Sequence, residues 1–140
     1  MYMQEDQVTT QDIIKIFSGA FMDVTDIGEN IFSVKGLTLT IPLRVILDKD
    51  HKSIRFADYS RLHRISEEDA AFICNEVNKT IRLGRTYATT LNDGAVLVAC
   101  EYDMTYEKGL IPFQVMANFR LFDKIADHVI RNNFVDYLQP

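Results

Sequence analysis

The feature that most constrains the fold of this 140-residue chain is an alternation of apolar and mostly polar residues over twelve positions. Every second residue from 37 to 47 is apolar: Leu37, Leu39, Ile41, Leu43, Val45 and Leu47. Because successive side chains of a strand point to opposite faces, this pattern predicts a long strand over 37–47 in an antiparallel sheet packed on one side. Pro42 cannot donate to a ladder, so we expect the strand to be a sheet edge or to carry a bulge there.

Three other segments have the period of amphipathic helices and are predicted at 10–20, 67–82 and 112–137. Thr9 and Ser66 precede the first two helices and are of the residue types that cap helix N-termini. The predicted end of the second helix is a nearby glycine, Gly84, and the third begins at a proline, which suits the first helical position.

Short β-branched and aromatic runs separated by turn residues predict further strands, at 31–34, 54–59, 85–91 and 95–102. Asn92-Asp93-Gly94 is a hairpin turn between the last two. In the run 54–59 the alternation of apolar and polar residues is interrupted at Asp58, which indicates a bulge or an early strand end. The run 95–102 is apolar on both faces up to Glu101 and is therefore expected to be central or to face a second apolar surface.

The predicted order is α-β-β-β-α-β-β-α, which is an α+β fold with helices packed on an antiparallel sheet. A length of 140 residues fits one domain over 1–140. The first eight residues are polar and without periodicity, so we expect them to be flexible.

Composition excludes several classes. The net charge of −5 disfavours nucleic-acid binding, although the arginines at 55, 61, 64, 82 and 85 leave it as an alternative if they share one face. No stretch approaches the length of a membrane span, and the N-terminus lacks the pattern of a signal peptide, so we expect a cytoplasmic protein without membrane contact. Cys74 and Cys100 lie in apolar runs and are interpreted as buried free thiols.

Motifs for catalysis are absent from the sequence. There is no phosphate-binding glycine loop and no nucleophile elbow, and His51, His63 and His128 have no metal-ligand spacing. We therefore expect no enzyme activity, no catalytic residue, no metal and no cofactor. A small-molecule site or unrecognised enzyme site remains the alternative, and its candidate residues are Asp58, Tyr59, His63 and Arg85.

Two asparagines on the second predicted helix, Asn75 and Asn78, share a face. Simple solvent exposure is one interpretation. The other is that they form hydrogen bonds to a neighbouring strand end or to a partner.

Several phrases resemble a known family: TQDII (10–14), LTIPLRVILD (39–48) with IRF (54–56), CNEVNK (74–79), RLGR (82–85) and LNDGAVLV (91–98). Together they resemble the YbjN family, proposed regulators of bacterial sensory transduction, over residues 9–131. The resemblance implies a fold like that of type III secretion chaperones, which are often dimeric, bind proteins and are not enzymes. It implies no catalytic residues.

The leading hypothesis is a chaperone- or adaptor-like module that binds a protein partner and self-associates as a homodimer. Surplus apolar surface on the third helix and on 95–102 favours an interface, although both elements could also be ordinary core. The candidate interface residues are Leu37, Leu39, Ile41, Leu121 and Ile125. A partner strand could add to the expected open edge near 37–47, or helices could pair across a two-fold axis.

Overall fold

The computed structural model describes residues 2–35 and 42–138, which form three α-helices, two short 3₁₀ turns and six strands. The helices are α1 (Thr10–Gly19), α2 (Glu67–Asn78) and α3 (Pro112–Asn133). The strands are β1 (Val24–Gly28), β2 (Ile31–Lys35), β3 (Pro42–Asp48), β4 (Ser53–Leu62), β5 (Arg85–Thr90) and β6 (Val96–Thr105). The predicted α+β class and antiparallel sheet are confirmed.

The six strands form one antiparallel sheet in the order β1-β2-β3-β4-β6-β5. One sheet face, hereafter the helical face, is covered by the helices. The rings of Phe17 on α1 and Phe119 on α3 pack edge-on with each other, and they contact Phe32 on β2 and Phe56 on β4. None of the described helices covers the opposite face, which is hereafter the open face. The core therefore lies between the helices and the helical face.

Two local predictions are confirmed by the geometry. Thr9 caps α1, since its hydroxyl accepts from the Asp12 amide while the Asp12 side chain accepts from the Thr9 amide. In the β5–β6 hairpin Gly94 has a φ of +87°, the conformation expected at that turn. The α3 helix begins at Pro112 as predicted but ends at Asn133, and Val135–Tyr137 forms a 3₁₀ turn.

The predicted end of the second helix at 82 is wrong, because α2 ends at Asn78. Gly84 has a different function. Its φ is +81°, and a Cβ there would lie 2.5 Å from the carbonyl oxygen of Glu101. The glycine therefore lets the chain pass close to β6 where β5 begins.

The structure adds a strand, β1, ahead of the three that were predicted before α2, so the chain runs α-β-β-β-β-α-β-β-α. Its residues are mostly exposed and do not alternate, so they carry no strand period. The N-terminal residues make two kinds of contact with the rest of the chain. Met3 exchanges both backbone hydrogen bonds with Leu110, at 2.8 and 2.7 Å, and Val8 is buried.

The expectation of an edge strand near 37–47 is wrong for its described part. Residues 37–41 lie outside the described residues, but β3 is interior, between β2 and β4. Pro42 is the first residue of β3, a position where a missing donor is tolerated. The expected irregularity at Asp58 is also wrong, since β4 pairs with β6 without interruption from Ser53 to Leu62.

Candidate functional site

A shallow groove runs along the exposed side of α3, opposite the connection between α2 and β5. It has a volume of about 330 Å³ and is hereafter the α3 groove. Its lining consists of four apolar and three basic or imidazole side chains: Ile81, Leu83, Leu121, Ile125, Arg82, Lys124 and His128. Leu121 is 42% exposed and Leu83 39%, so part of the apolar lining faces solvent.

The groove is formed by side chains spaced along one side of α3 and by a facing wall that is fixed to β5 through a pair of hydrogen bonds, hereafter the clasp. Leu121, Lys124, Ile125 and His128 follow one another at i, i+3, i+4 and i+7, so they share one side of α3. The facing wall is held by Asn78 at the end of α2. Its amide donates to the Thr86 carbonyl at 2.8 Å and accepts from the Thr86 amide at 2.9 Å.

This clasp confirms, for Asn78, the interpretation that it bonds a neighbouring strand end; Asn75 is exposed. The clasp also satisfies the outward-facing backbone groups of an edge strand. It therefore protects the β5 edge of the sheet at Thr86 against pairing with another chain.

The charged side chains that line the groove are basic. No acidic side chain in the part of the chain that the structure describes lines it. Arg82 and Lys124 form no ion pair with another residue in the described ranges 2–35 and 42–138. The groove is therefore locally cationic on a chain whose net charge is −5.

The structure brings together two of the five predicted interface residues, Leu121 and Ile125, which both line the groove. Leu37, Leu39 and Ile41 lie outside the described residues. The prediction missed Ile81 and Leu83 on the facing wall, because the sequence placed 79–82 inside a helix. Their apolar character next to Arg82, in a segment that ends a helix, is the signal that was available.

The open face is organised around a second cluster, the buried carboxylate of Glu101 on β6. It is 3% exposed. Its oxygens accept from the Tyr59 hydroxyl at 2.8 Å, the Tyr87 hydroxyl at 3.1 Å and the Arg85 Nη2 at 2.7 Å. Arg55 Nη1 lies 3.6 Å away. This cluster fills the hydrogen-bonding capacity of the buried acid.

The network also changes the titration of its members. Burial, and then the hydrogen bond to Glu101, raise the pKa of Tyr59 well above its ordinary value. Burial, followed by the charge of Glu101, raises the pKa of Tyr87. The hydrogen bond to Asp103 raises the pKa of Arg55. These groups therefore keep their protons around the Glu101 carboxyl group.

The arginines proposed for nucleic-acid binding do not form one free cationic face. Arg55 pairs with Asp103 at 2.8 Å, Arg61 with Asp93 at 2.6 Å and Arg85 with Glu101 at 2.7 Å. Arg82 lines the α3 groove instead. Arg64 donates to the Asp136 carbonyl.

Of the residues considered for a small-molecule site, only Tyr59 and Arg85 meet, on Glu101. Asp58 lies on the helical face, 1% exposed, and burial raises its pKa to about 6. The backbone amide of His63 donates to the Tyr137 carbonyl beyond the end of β4. The four residues therefore do not converge on one cleft.

Both cysteines are buried free thiols, as predicted, and burial raises the pKa of Cys74 to about 11 and that of Cys100 to about 12. Thiols held protonated in this way are poor nucleophiles. Within 2–35 and 42–138 no three His, Cys, Asp or Glu side chains are grouped so that they could hold a metal ion. None of the described helices combines the length and hydropathy needed to span a membrane.

Solved structures share this architecture. YbjN from E. coli, a proposed transcription regulator, superimposes with a TM-score of 0.80 over 95% of this chain and 97% of its own, at 10% sequence identity. The chain has a YbjN-like fold. An uncharacterised protein from Methanothermobacter thermautotrophicus matches with a TM-score of 0.60 and 12% identity, over 87% of this chain and 94% of its own. No family model and no curated protein matches the sequence. At 10% identity the likeness to YbjN is one of fold.

Proposed function

We propose that this protein is a non-catalytic, regulatory or chaperone-like module that binds a protein segment in the α3 groove. The segment would present apolar side chains to Leu83, Leu121 and Ile125 and carboxylates to Arg82 and Lys124. The observation that carries the proposal is the coincidence of solvent-exposed apolar area with cations that lack acidic partners among the described residues.

Charge complementarity favours an acidic apolar segment over other occupants. A basic segment would meet Arg82 and Lys124 with like charge, which is destabilising. A purely apolar ligand would leave both cations beside a dry surface without a counter-charge, which costs free energy. An acidic segment with apolar side chains would make favourable contacts with both the apolar and the basic side chains of the groove.

The regulatory part of the proposal draws on YbjN, whose fold this chain shares and which is a proposed transcription regulator. We further propose that the chain acts in the cytoplasm, in sensory transduction, and forms a homodimer. Light scattering at micromolar concentration tests the dimer. A strict monomer would remove self-association from the proposal while leaving the groove.

The direct test of the groove is selection from a display library of random peptides against the full chain. Peptides enriched on the wild type should combine apolar residues with Asp or Glu. They should bind a Leu121→Glu variant at least about tenfold more weakly, since a charge would replace a central apolar contact. Isothermal titration with an enriched peptide measures the difference.

The matched control is Phe72→Glu, which places the same charge on an exposed apolar position of α2 outside the groove. This variant should bind the peptide like the wild type. Enrichment of basic peptides, or equal loss of binding in the two variants, would contradict the proposal.

A further inference from the structure

The stretch that follows α1, residues 21–29, is a surface segment that the proposed function does not use. Its sequence, FMDVTDIGE, contains three acidic residues and no lysine or arginine, and it is hereafter the acidic segment. All three acidic side chains are exposed. Phe21 is 97% exposed and Ile27 is 49% exposed. The acidic segment therefore carries apolar side chains and carboxylates together at the surface.

Phe21 combines two unfavourable features. Its φ is +63°, in the left-handed region that residues with bulky side chains rarely adopt. It directly follows the C-cap of α1, at the position where glycine is the usual residue, and its amide donates to the Ser18 carbonyl at 3.0 Å. The aromatic ring gains no burial in return. A strained backbone beneath an exposed ring favours a role for this side chain in a contact outside its own copy of the chain.

The carboxylates of the acidic segment have no cationic partners. Asp23, Asp26 and Glu29 form no ion pair in the part of the chain that the structure describes. Asp26 accepts hydrogen bonds from the Gly28 amide at 2.9 Å and from the side-chain amide of Gln11 at 3.2 Å, and both donors are neutral. The acidic segment is therefore complementary in charge to the basic side chains of the α3 groove.

We propose that the acidic segment of one copy of this chain binds in the α3 groove of a second copy. The Phe21 ring packs against Leu121 and Ile125, while the Asp23 carboxylate lies beside Lys124. This inference rests on the proposed function, because it names the occupant of the same groove. The chain itself carries the acidic segment with apolar side chains that the groove favours.

The contact must join two copies, because the two surfaces belong to opposite ends of the sheet. The acidic segment contains β1, one edge strand, whereas the groove wall at 81–83 leads into β5, the other edge strand. With about 4.8 Å between neighbouring strands, the two edges lie about 24 Å apart. Pairing with β2 fixes the acidic segment, so it does not reach the groove of its own copy. The contact is heterologous, since each copy contributes a different surface.

Sedimentation equilibrium of the full chain at micromolar concentrations tests the contact. The wild type should associate. Phe21→Gly removes the ring and supplies the residue that the backbone favours, so its denaturation midpoint should be no lower than that of the wild type. It should nevertheless associate at least about tenfold more weakly. The matched control, Phe72→Ala, removes an exposed ring from α2 and should associate like the wild type.

Two weakened variants should restore association when they are mixed. Lys124→Glu should associate about fivefold to tenfold more weakly than the wild type, but it keeps an intact acidic segment. Phe21→Gly keeps an intact groove. An equimolar mixture should therefore form a 1:1 pair with close to the wild-type affinity. A mixture that pairs no better than the separate variants would overturn the proposal, as would a monomeric wild type or a Phe21→Gly variant that associates like the wild type.

Failure of this proposal is distinguishable from failure of the proposed function. If library-selected acidic peptides bind the groove of a wild type that stays monomeric, the contact between copies is overturned and the proposed function stands. If the selection yields no acidic peptide and the mixture of variants still pairs, the contact between copies is supported and the binding of other protein segments fails.

Discussion

The open face of the sheet and the α3 groove both carry basic side chains, but they use them differently. On the open face Arg55, Arg61 and Arg85 each lie against a carboxylate. In the groove Arg82 and Lys124 have no acidic partner among the described residues and flank exposed apolar area. Charges that are already matched gain little from a new contact, whereas unmatched charges beside apolar surface gain most. The difference supports placing the proposed binding site on the helix side.

The same contrast holds for the two buried acids. Ala57 and Glu101 are register partners, as are Asp58 and Cys100, so the two acids lie one residue apart on opposite faces of the sheet. Glu101 has four donor side chains around it, whereas among residues 2–35 and 42–138 only Ser60 donates a hydrogen bond to the Asp58 side chain. The satisfied acid is expected to stabilise the fold, whereas the buried, unsatisfied one is expected to make the free energy of unfolding depend on pH.

The largest effect is expected when the satisfied acid is removed. Glu101→Ala leaves the Tyr59 and Tyr87 hydroxyls and Arg85 without their acceptor and removes an ion-pair partner of Arg55, so we expect a loss of about 3 kcal/mol in the free energy of unfolding. Chemical denaturation measures it. Asp103→Ala, which removes an exposed partner of Arg55, should cost less than about 1 kcal/mol. Equal losses would contradict the expectation that the buried Glu101 network stabilises the fold more than an exposed ion pair does.

Asp58→Asn is expected to raise the free energy of unfolding, whereas Glu101→Ala is expected to lower it. The folded-state pKa of Asp58, about 6, lies above its ordinary value of 3.8. The corresponding stability is therefore fully present below pH 3.8 and is lost as the pH rises through about 6. At about 1.4 kcal/mol per pKa unit, the variant should be more stable than the wild type by up to about 3 kcal/mol at neutral pH and no more stable at the acidic end. Unfolding curves across this range measure both differences. A destabilised variant at neutral pH would contradict the account.

A smaller loss is expected at the clasp that holds the second wall of the groove. Asn78→Ala removes both hydrogen bonds to the Thr86 backbone and should cost about 1–2 kcal/mol. Asn75→Ala is the matched control on the same helix and should change the unfolding free energy by less than about 0.5 kcal/mol. Amide exchange at Thr86 should accelerate in the first variant only.

The free energy of unfolding should change little when an exposed residue of the groove is replaced. Leu121 is 42% exposed, so Leu121→Ala should cost less than about 1 kcal/mol. Phe119→Ala, two residues earlier and fully buried, should cost about 3–5 kcal/mol. A large loss for Leu121→Ala would mean that the residue belongs to the core and not to a binding surface.

Much of the fold was predictable because its signals are local. The 3.6-residue period located all three helices, and Thr9, Pro112 and Gly94 marked their ends and turns. The β1 strand was missed because an exposed edge strand carries no alternation. The order of strands in the sheet depends on contacts far apart in the chain, so the alternation over 37–47 could not tell an interior strand from an edge.

The site was only half predictable for the same reason. Leu121 and Ile125 could be recognised on α3, because a helix shows its exposed side in its own sequence. Ile81 and Leu83 join them only through the fold, where Asn78 fixes the chain beside α3. Whether a basic side chain has an acidic partner also depends on the fold. Arg55, Arg82 and Arg85 look alike in the sequence, and only their neighbours separate them.

The central claim is tested most directly by the affinity of one library-selected acidic peptide for three proteins: the wild type, Lys124→Glu and Arg61→Glu. Each variant reverses one basic side chain, the first in the groove and the second on the open face. The account predicts binding about fivefold to tenfold weaker for Lys124→Glu and unchanged for Arg61→Glu. Weaker binding by Arg61→Glu, with Lys124→Glu unaffected, would contradict it and place the binding surface on the open face.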